Sequence, residues 1–580
     1  MIKSNFSRVF FTVVLSAFVL TACDKDKEEA KGDATLLSSN ETVLQYIPAD
    51  TPYVFANVEP LPDDLMDKIE PKIDRLMQSY QTILKEAVAA KHHEDQSEEE
   101  AQKIEAFVGE LSGLLSIEGL REAGVGREAT GAIYGLGLLP VIRLDNIDGE
   151  LLDAAISRLE EKAGHKLPVA SVEGGGYRYF DGKDGRVILA VFADQMVITF
   201  APAEFGDEQV SQLLGLTLPE TSIADAGVLD AIASEYGFTS HYTGFLDVEA
   251  IASVFVDTPT GINADLMALG GHDASNLSEV CKAEIRDMAA VAPKVVMGYT
   301  AVNTERLDST IVLELRDDIA AGLAALPAAI PGLGEDRGGL MSFGFGLDVK
   351  AAREFLESRV EALEADPFEC EHFADVQNSV AGARQGLQQP LPPMAYDFKG
   401  FLAVINDIEG LDVANQTPPT SIDGNFMLAM DNAPALVSMG AMFSPELAAL
   451  DLQPDGVPVQ LELMQLQAMG ITAHAALTET AVAIAVGEAS ESDLESMLTA
   501  SAPADAPFMS FSMDAGRYYS FIGEAIASAP QDAENATSPE MQAALQDMMD
   551  VIGELYDRMS VDVRFTSQGV ELRSEVTLQD

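Results

Sequence analysis

Short pieces of this 580-residue chain return in the same order at a nearly constant separation, and that recurrence limits its fold more than any single motif. Val58-Glu59-Pro60 closes an expected strand ahead of a helix, and Leu347-Asp348-Val349 does the same. Ile142-Arg143-Leu144-Asp145-Asn146 is answered by Leu428-Ala429-Met430-Asp431-Asn432. The hairpin 186–201 leads to a helix with Val210, Leu213 and Leu214, and the hairpin 471–487 leads to one with Leu494, Met497 and Leu498. The strand 238–246 ends at Asp247 and the strand 508–513 at Asp514. A last hairpin holds Tyr299 and Leu313 in one case, Phe565 and Leu578 in the other. The separations are 289 from Glu59 to Asp348, 286 from Asp145 to Asp431 and 284 from Val210 to Leu494. They then become 267 from Asp247 to Asp514, 266 from Tyr299 to Phe565 and 265 from Leu313 to Leu578. Chance resemblances would scatter. A single drop of 17 asks instead for extra chain in the first half between Leu214 and Asp247, where 216–234 reads as a turn and a helix.

Each half reads strand, helix, strand, helix, strand, hairpin, helix, strand, helix, helix, hairpin. Adjacent hairpins favour antiparallel pairing, and amphipathic helices bury their apolar stripe on a sheet. The expected fold class is therefore α+β: two tandem related halves, each a mostly antiparallel sheet covered by helices. The first half spans 46–317 and the second 338–580, with a junction at 318–337 rich in Pro and Gly. Pro71 is expected to kink or split the first long helix. The segment 257–277 shows no clear period. Gly135-Leu136-Gly137-Leu138-Leu139-Pro140 reads as a strand in which glycine permits close backbone approach.

The amino terminus carries an address. Lys3 and Arg8 precede 14 uncharged residues, Val9 to Ala22, too few to span a bilayer and the right length for a signal-peptide core. That stretch ends in Leu20-Thr21-Ala22-Cys23, similar to the lipobox after which bacterial lipoproteins are cleaved and acylated on cysteine. Residues 1–22 are expected to be removed, Cys23 to carry the lipid, palmitate included, and 23–45 to form an acidic tether. Asp24 resembles an inner-membrane retention signal, so the expected location is the periplasmic face of a bacterial membrane, inner favoured over outer.

Lys and Arg number 35 against 94 Asp and Glu, a formal charge of −59. An acidic excess of this size opposes nucleic-acid binding, which needs a basic face. Hydrophobic residues make up 47% of the chain, enough for a large core. Besides Cys23 there are two cysteines, Cys281 and Cys370, either a disulfide in an oxidising compartment or two buried thiols.

Signals for chemistry are sparse. No Gly-x-Ser-x-Gly elbow, phosphate-binding Gly-x-x-x-x-Gly-Lys loop or His-Glu-x-x-His occurs. His92-His93 reads as a solvated helix end. Cys370-Glu371-His372 lacks a second ligand pair for zinc, and Asp181–Gly185 reads as a hairpin turn rather than a calcium loop. Asp247, Asp348 and Asp514 recur before helices, where an Asp caps free N–H groups. No catalytic residue, metal ligand or cofactor site is expected.

The opening Tyr46-Ile47-Pro48-Ala49-Asp50-Thr51-Pro52-Tyr53-Val54 and the strand region Ala132–Leu144 resemble a group of uncharacterised Gram-negative lipoproteins whose mature domain opens with a Pro-Ala-Asp turn. The resemblance implies a surface-anchored envelope protein and carries over no catalytic residue. The expected role is that of a non-enzymatic binding or scaffold lipoprotein. It would be joined to the membrane by its lipid and partnered by another envelope protein or an apolar ligand. A carrier or sensor of lipid and a hydrolase whose site is invisible in sequence are the alternatives.

Overall fold

The computed structural model describes residues 42–90, 98–172, 175–183, 185–410, 420–450, 452–461, 470, 472–487, 490–503, 505–528 and 538–579. The expected signal segment, Cys23, Asp24 and most of the expected tether lie outside these residues, as do His92, His93 and Asp184.

The chain divides into two compact units. The first takes in Met1–Asn276, Lys294–Leu307 and Ala536–Val551; the second takes in Leu277–Pro293, Asp308–Asn535 and Ile552–Asp580.

The first unit holds β1 (Tyr53–Asn57), β2 (Thr130–Leu136), β3 (Leu139–Asp145), β4 (Val169–Val172), β5 (Gly175–Asp181), β6 (Arg186–Val191), β7 (Gln195–Ala201), β8 (Thr243–Asp247) and β9 (Lys294–Val302). They pair antiparallel in the order β4-β5-β6-β7-β3-β2-β1-β8-β9. The second holds β10 (Arg306–Glu314, in this unit from Asp308), β11 (Met341–Gly346), β12 (Phe398–Glu409), β13 (Ser421–Met430), β14 (Val459–Gln460), β15 (Ala473–Leu477), β16 (Ala481–Val486), β17 (Met509–Asp514), β18 (Tyr556–Phe565) and β19 (Gly569–Leu578). Their order is β14-β15-β16-β13-β12-β11-β17-β18-β19-β10, and the pairings from β14 through β19 are again antiparallel. The fold is α+β, with helices covering mostly antiparallel sheet.

Strand alternation sets the two faces of each sheet. In the second unit Leu402, Val404, Met427, Ala429, Ala481, Ala483 and Ala485 form one core with Leu494 and Met497 of the helix Ser490–Thr499. Ile330 and Leu333, just past the helix Asp317–Ala324, join the same core. In the first unit Ile142, Leu144, Leu189, Val191, Met196 and Ile198 pack with Ile156, Leu152 and Leu120 from the helices Gly149–Ala163 and Ile117–Glu122.

Several local expectations change. The helix Asp63–Ala90 runs through Pro71 unsplit. Leu65, Met66, Ile69, Ile73 and Met77 are buried on both sides of the proline, so packing outweighs the backbone hydrogen bond it forfeits. Gly135–Pro140 is a hairpin corner, not one strand: β2 ends at Leu136, Gly137 takes φ +56°, and β3 begins at Leu139. Added volume at Gly137 would also strike Asn263, whose Oδ1 accepts from Leu138 N at 2.9 Å. The strand before Asp247 begins only at Thr243, because Phe238 N bonds back to Ala233 O and ends the helix Val228–Tyr236. The segment without clear period contains the helix Gly261–Leu269. Asp247, Asp348 and Asp514 each accept the backbone N–H three residues on, at 2.8, 2.9 and 2.9 Å, which is the N-cap geometry.

Cys281 and Cys370 are joined, with Cα atoms 4.8 Å apart. Glu284, on the same helix as Cys281, accepts from the N–H groups of Glu369 at 2.7 Å and Cys370 at 3.0 Å. The bridge and this carboxylate pin one stretch of chain to one helix within the second unit.

Candidate functional site

Acid–base or metal chemistry needs titratable side chains gathered in reach of solvent. Among the described residues no three His, Cys, Asp or Glu side chains gather as a metal-holding group. His241 Nδ1 lies 3.3 Å from Glu59 O, and His272 Nε2 lies 2.8 Å from Phe255 O. Both rings thus meet backbone carbonyls. The three recurrent aspartates, separate helix caps, do not form one carboxylate cluster.

A buried polar network lies in the first unit. Arg143 is 0% exposed, its guanidinium 3.7 Å from the centre of the Tyr46 ring. It donates to Gln195 Oε1 at 2.6 Å and to Leu214 O at 2.8 Å. Gln195 Nε2 in turn donates to Asp145 Oδ1 at 3.2 Å, and Val43 N donates to Asp145 Oδ2 at 3.1 Å. Burial pushes the Asp145 carboxyl up, while hydrogen bonds from Gln195, Asn146 and Val43 hold it down. Buried Arg143 and Gln195 fasten the opening 3-10 turn Val43–Tyr46 and the end of the helix Asp207–Leu214 to β3 and β7, which is a structural role.

The open chemistry is apolar and belongs to the second unit. On the sheet face away from the helix Ser490–Thr499, alternation places Phe343 and Phe345 of β11, Phe401 of β12 and Phe426 of β13 together. Ring centroids are 5.5 Å apart for Phe343 and Phe401, 4.8 Å for Phe345 and Phe401, and 5.9 Å for Phe401 and Phe426. Phe398 and Phe508 extend the row from Phe345, and Phe565 stacks on Phe508 at 4.7 Å. Phe343 keeps 38% of its surface exposed and Phe426 keeps 44%, with Ile422 and Ile484 comparably open. The helix that follows β13, Ala433–Phe443, ends in two more exposed apolar side chains, Met442 and Phe443. Scattered exposed hydrophobics need no explanation, but a contiguous aromatic row does.

One face of the first unit's sheet is closed instead. Opposite the helix Asp207–Leu214, Ile142, Leu144, Ile198 and Met196 are closed over by Leu152 and Ile156. Leu159 of the same covering helix packs against Phe107, Val108 and Leu111. The sequence pattern marked both faces as apolar, and nothing local marked one as open. No helix among the described residues is long and apolar enough to cross a membrane. The chain matches no protein-family model, no curated protein and no solved structure.

Proposed function

We propose that this chain is a lipid-anchored, non-enzymatic binding protein on the periplasmic face of a bacterial membrane, and that its second unit receives an acyl chain on the phenylalanine face. The observation that carries this reading is the row Phe343-Phe345-Phe401-Phe426, contiguous and partly open where its counterpart in the first unit is closed. A flat aromatic surface offers dispersion contact to methylene chains without polar specificity. An anchor at Cys23 would hold the chain at a lipid surface.

The two halves, 46–317 and 338–580, are proposed to be copies of one ancestral element. Their strand orders correspond, β1 with β11, β2 with β12, β3 with β13, β7 with β16 and β8 with β17. Asp247 N donates to Pro52 O at 2.8 Å, and Asp514 N donates to Leu340 O at 3.0 Å, ahead of an Asp-capped helix in both cases. The two extra helices Ile223–Ala226 and Val228–Tyr236 fall between Leu214 and β8, where the drop in separation asked for added chain. The ladders adjust some pairings: Asp145 faces Gln195 as Ala429 faces Ala481, so Asp145 corresponds to Ala429 rather than Asp431. Likewise Asn303 N–Arg306 O and Thr566 N–Gly569 O close the last hairpins, which moves Tyr299 away from Phe565.

Two experiments test the reading. Cys23→Ser is expected to leave an uncleaved precursor or to release soluble protein on cell fractionation; a Ser variant that is cleaved at the same place and stays fully in the membrane would refute the anchor. Photo-crosslinking of the full chain in cells with a diazirine fatty acid is expected to give adducts on peptides from β11–β13. Phe343→Ser with Phe426→Ser should cut their yield at least tenfold, since losing only about 1.4 kcal/mol of apolar contact from the two rings together is already a factor of ten. Adducts confined to the first unit, or a yield unchanged by the double variant, would overturn the acyl-chain reading.

A further inference from the structure

The other face of the second unit's sheet carries a feature the phenylalanine row does not explain. Down β12 the helix-covered row runs Leu402, Val404, Asn406, and along β13 it runs Ala429, Met427, Asn425: apolar through the core, then polar at one end. A bulge between Ile405 and Asp407 marks the place where β12 changes character. Here a cleft of about 220 Å³ opens, lined by Asn406, Asn425, Arg337, Asp336, Asp493 and Ser496, with Val404 and Met497 on its floor.

Asn425 is 7% exposed, and its Oδ1 has no hydrogen-bond partner. Nothing in the fold requires an amide at this position. If the two halves are copies, the corresponding residue of the first is Val141, wholly buried in its sheet. An unbonded buried amide is a cost that a hydrophobic residue would avoid. The neighbouring groups leave room for a guest. Asn406 Nδ2 reaches Asp493 Oδ2 and Asp423 Oδ1 only at 3.4 Å; Arg337 Nη1 pairs with Glu335 Oε2 at 3.2 Å, while its Nη2 reaches Ser496 Oγ only at 3.4 Å. Asp336 is engaged by Arg558 at 2.6 Å and by Gly338 N at 2.9 Å, so it contributes less.

We propose that this cleft is a binding site for one neutral sugar ring. The lining offers acceptors (Asn425 Oδ1, Asp493), donors (Arg337) and groups that do both (Ser496, the Asn amides). Adjacent hydroxyls, each able to donate and accept, are the chemistry that answers such a mixture. No group of three His, Cys, Asp or Glu forms there among the described residues, which argues against a cation. The volume is below the roughly 300–1,000 Å³ of drug-sized sites, which limits the guest to a single ring. The chain's charge of −59 weighs against an anion. The site lies on the opposite sheet face from the phenylalanines, so its occupancy stands or falls separately from the acyl-chain reading.

The test uses the full-length protein in a detergent without a sugar headgroup. Saturation-transfer NMR against a panel of neutral hexoses, methylammonium and methyl phosphate is expected to show transfer to at least one hexose. Asn425→Val should weaken that binding at least tenfold while raising the unfolding temperature of the second unit by about 2–4 °C, because it removes an unsatisfied buried amide. Gain of stability with loss of binding separates a ligand contact from a structural residue. Transfer to no hexose, transfer only to methylammonium or methyl phosphate, or an Asn425→Val variant that is less stable and binds as before would each overturn the proposal.

Discussion

Arg143→Met is expected to destabilise the first unit by about 3–5 kcal/mol, the range found when one partner of a buried charged network is removed and the rest stays. The substitution leaves Gln195 Oε1 and Leu214 O without their donor and Asp145 with less compensation in a buried site. The triple variant Arg143→Met, Asp145→Ala, Gln195→Ala carries the second unit's residues at the corresponding ladder positions, Met427, Ala429 and Ala481. Those residues sit in a closed apolar core. The triple variant is therefore expected to regain most of the loss, since a buried polar network replaced as a whole by apolar residues is often neutral or better. Urea unfolding of the full chain, followed by hydrogen exchange on β3 and β7, measures both. A triple variant less stable than the single one would show that the network holds the Val43–Tyr46 turn in a way apolar packing does not replace.

Loss of the Cys281–Cys370 bridge is the second large effect. The bridge closes a loop of 89 residues, for which the chain-entropy relation gives about 4–5 kcal/mol. Cys281→Ala with Cys370→Ala is expected to lower the second unit's urea midpoint accordingly. Hydrogen exchange should rise first in the helix Glu279–Ala289 and in 369–373, the segments the bridge ties together. Free-thiol labelling of unfolded, unreduced wild-type protein should find no reactive thiol at either position. If the double variant keeps its midpoint, then Glu284 and its two backbone hydrogen bonds suffice to hold the segment, and the bridge adds little.

Much of the architecture is legible in the residues themselves. The alternation of β12 and β13, the helix period of Val210, Leu213 and Leu214, and the aspartates before three helices are local patterns, readable from spacing because strand and helix periods and cap hydrogen bonds are local physics. The two cysteines left two readings open, because 89 residues of chain say nothing about where their Cα atoms meet. The corner at Gly137 was missed because Gly135 and Pro140 also suit a strand edge, and only the positive φ at Gly137 and the contact with Asn263 distinguish a hairpin.

What the residues by themselves determined is much of the order of strands and helices and their apolar faces. Which apolar face stays open was decided only in three dimensions. Ile142 and Phe426 have the same strand pattern around them. The helix after β3 has 15 residues and reaches far enough to seat Leu152, Ile156 and Leu159, whereas the helix after β13 has 11 and ends in exposed Met442 and Phe443. Covering a face depends on the length of one element and on a second layer behind it, both set by contacts between residues far apart in the chain. The same holds for Arg143 and for Asn425. Their burial, and whether a partner waits for them there, depends on residues far along the chain: Gln195 is 52 positions from Arg143, and Asp493 is 493 − 425 = 68 from Asn425, distances which no local pattern records.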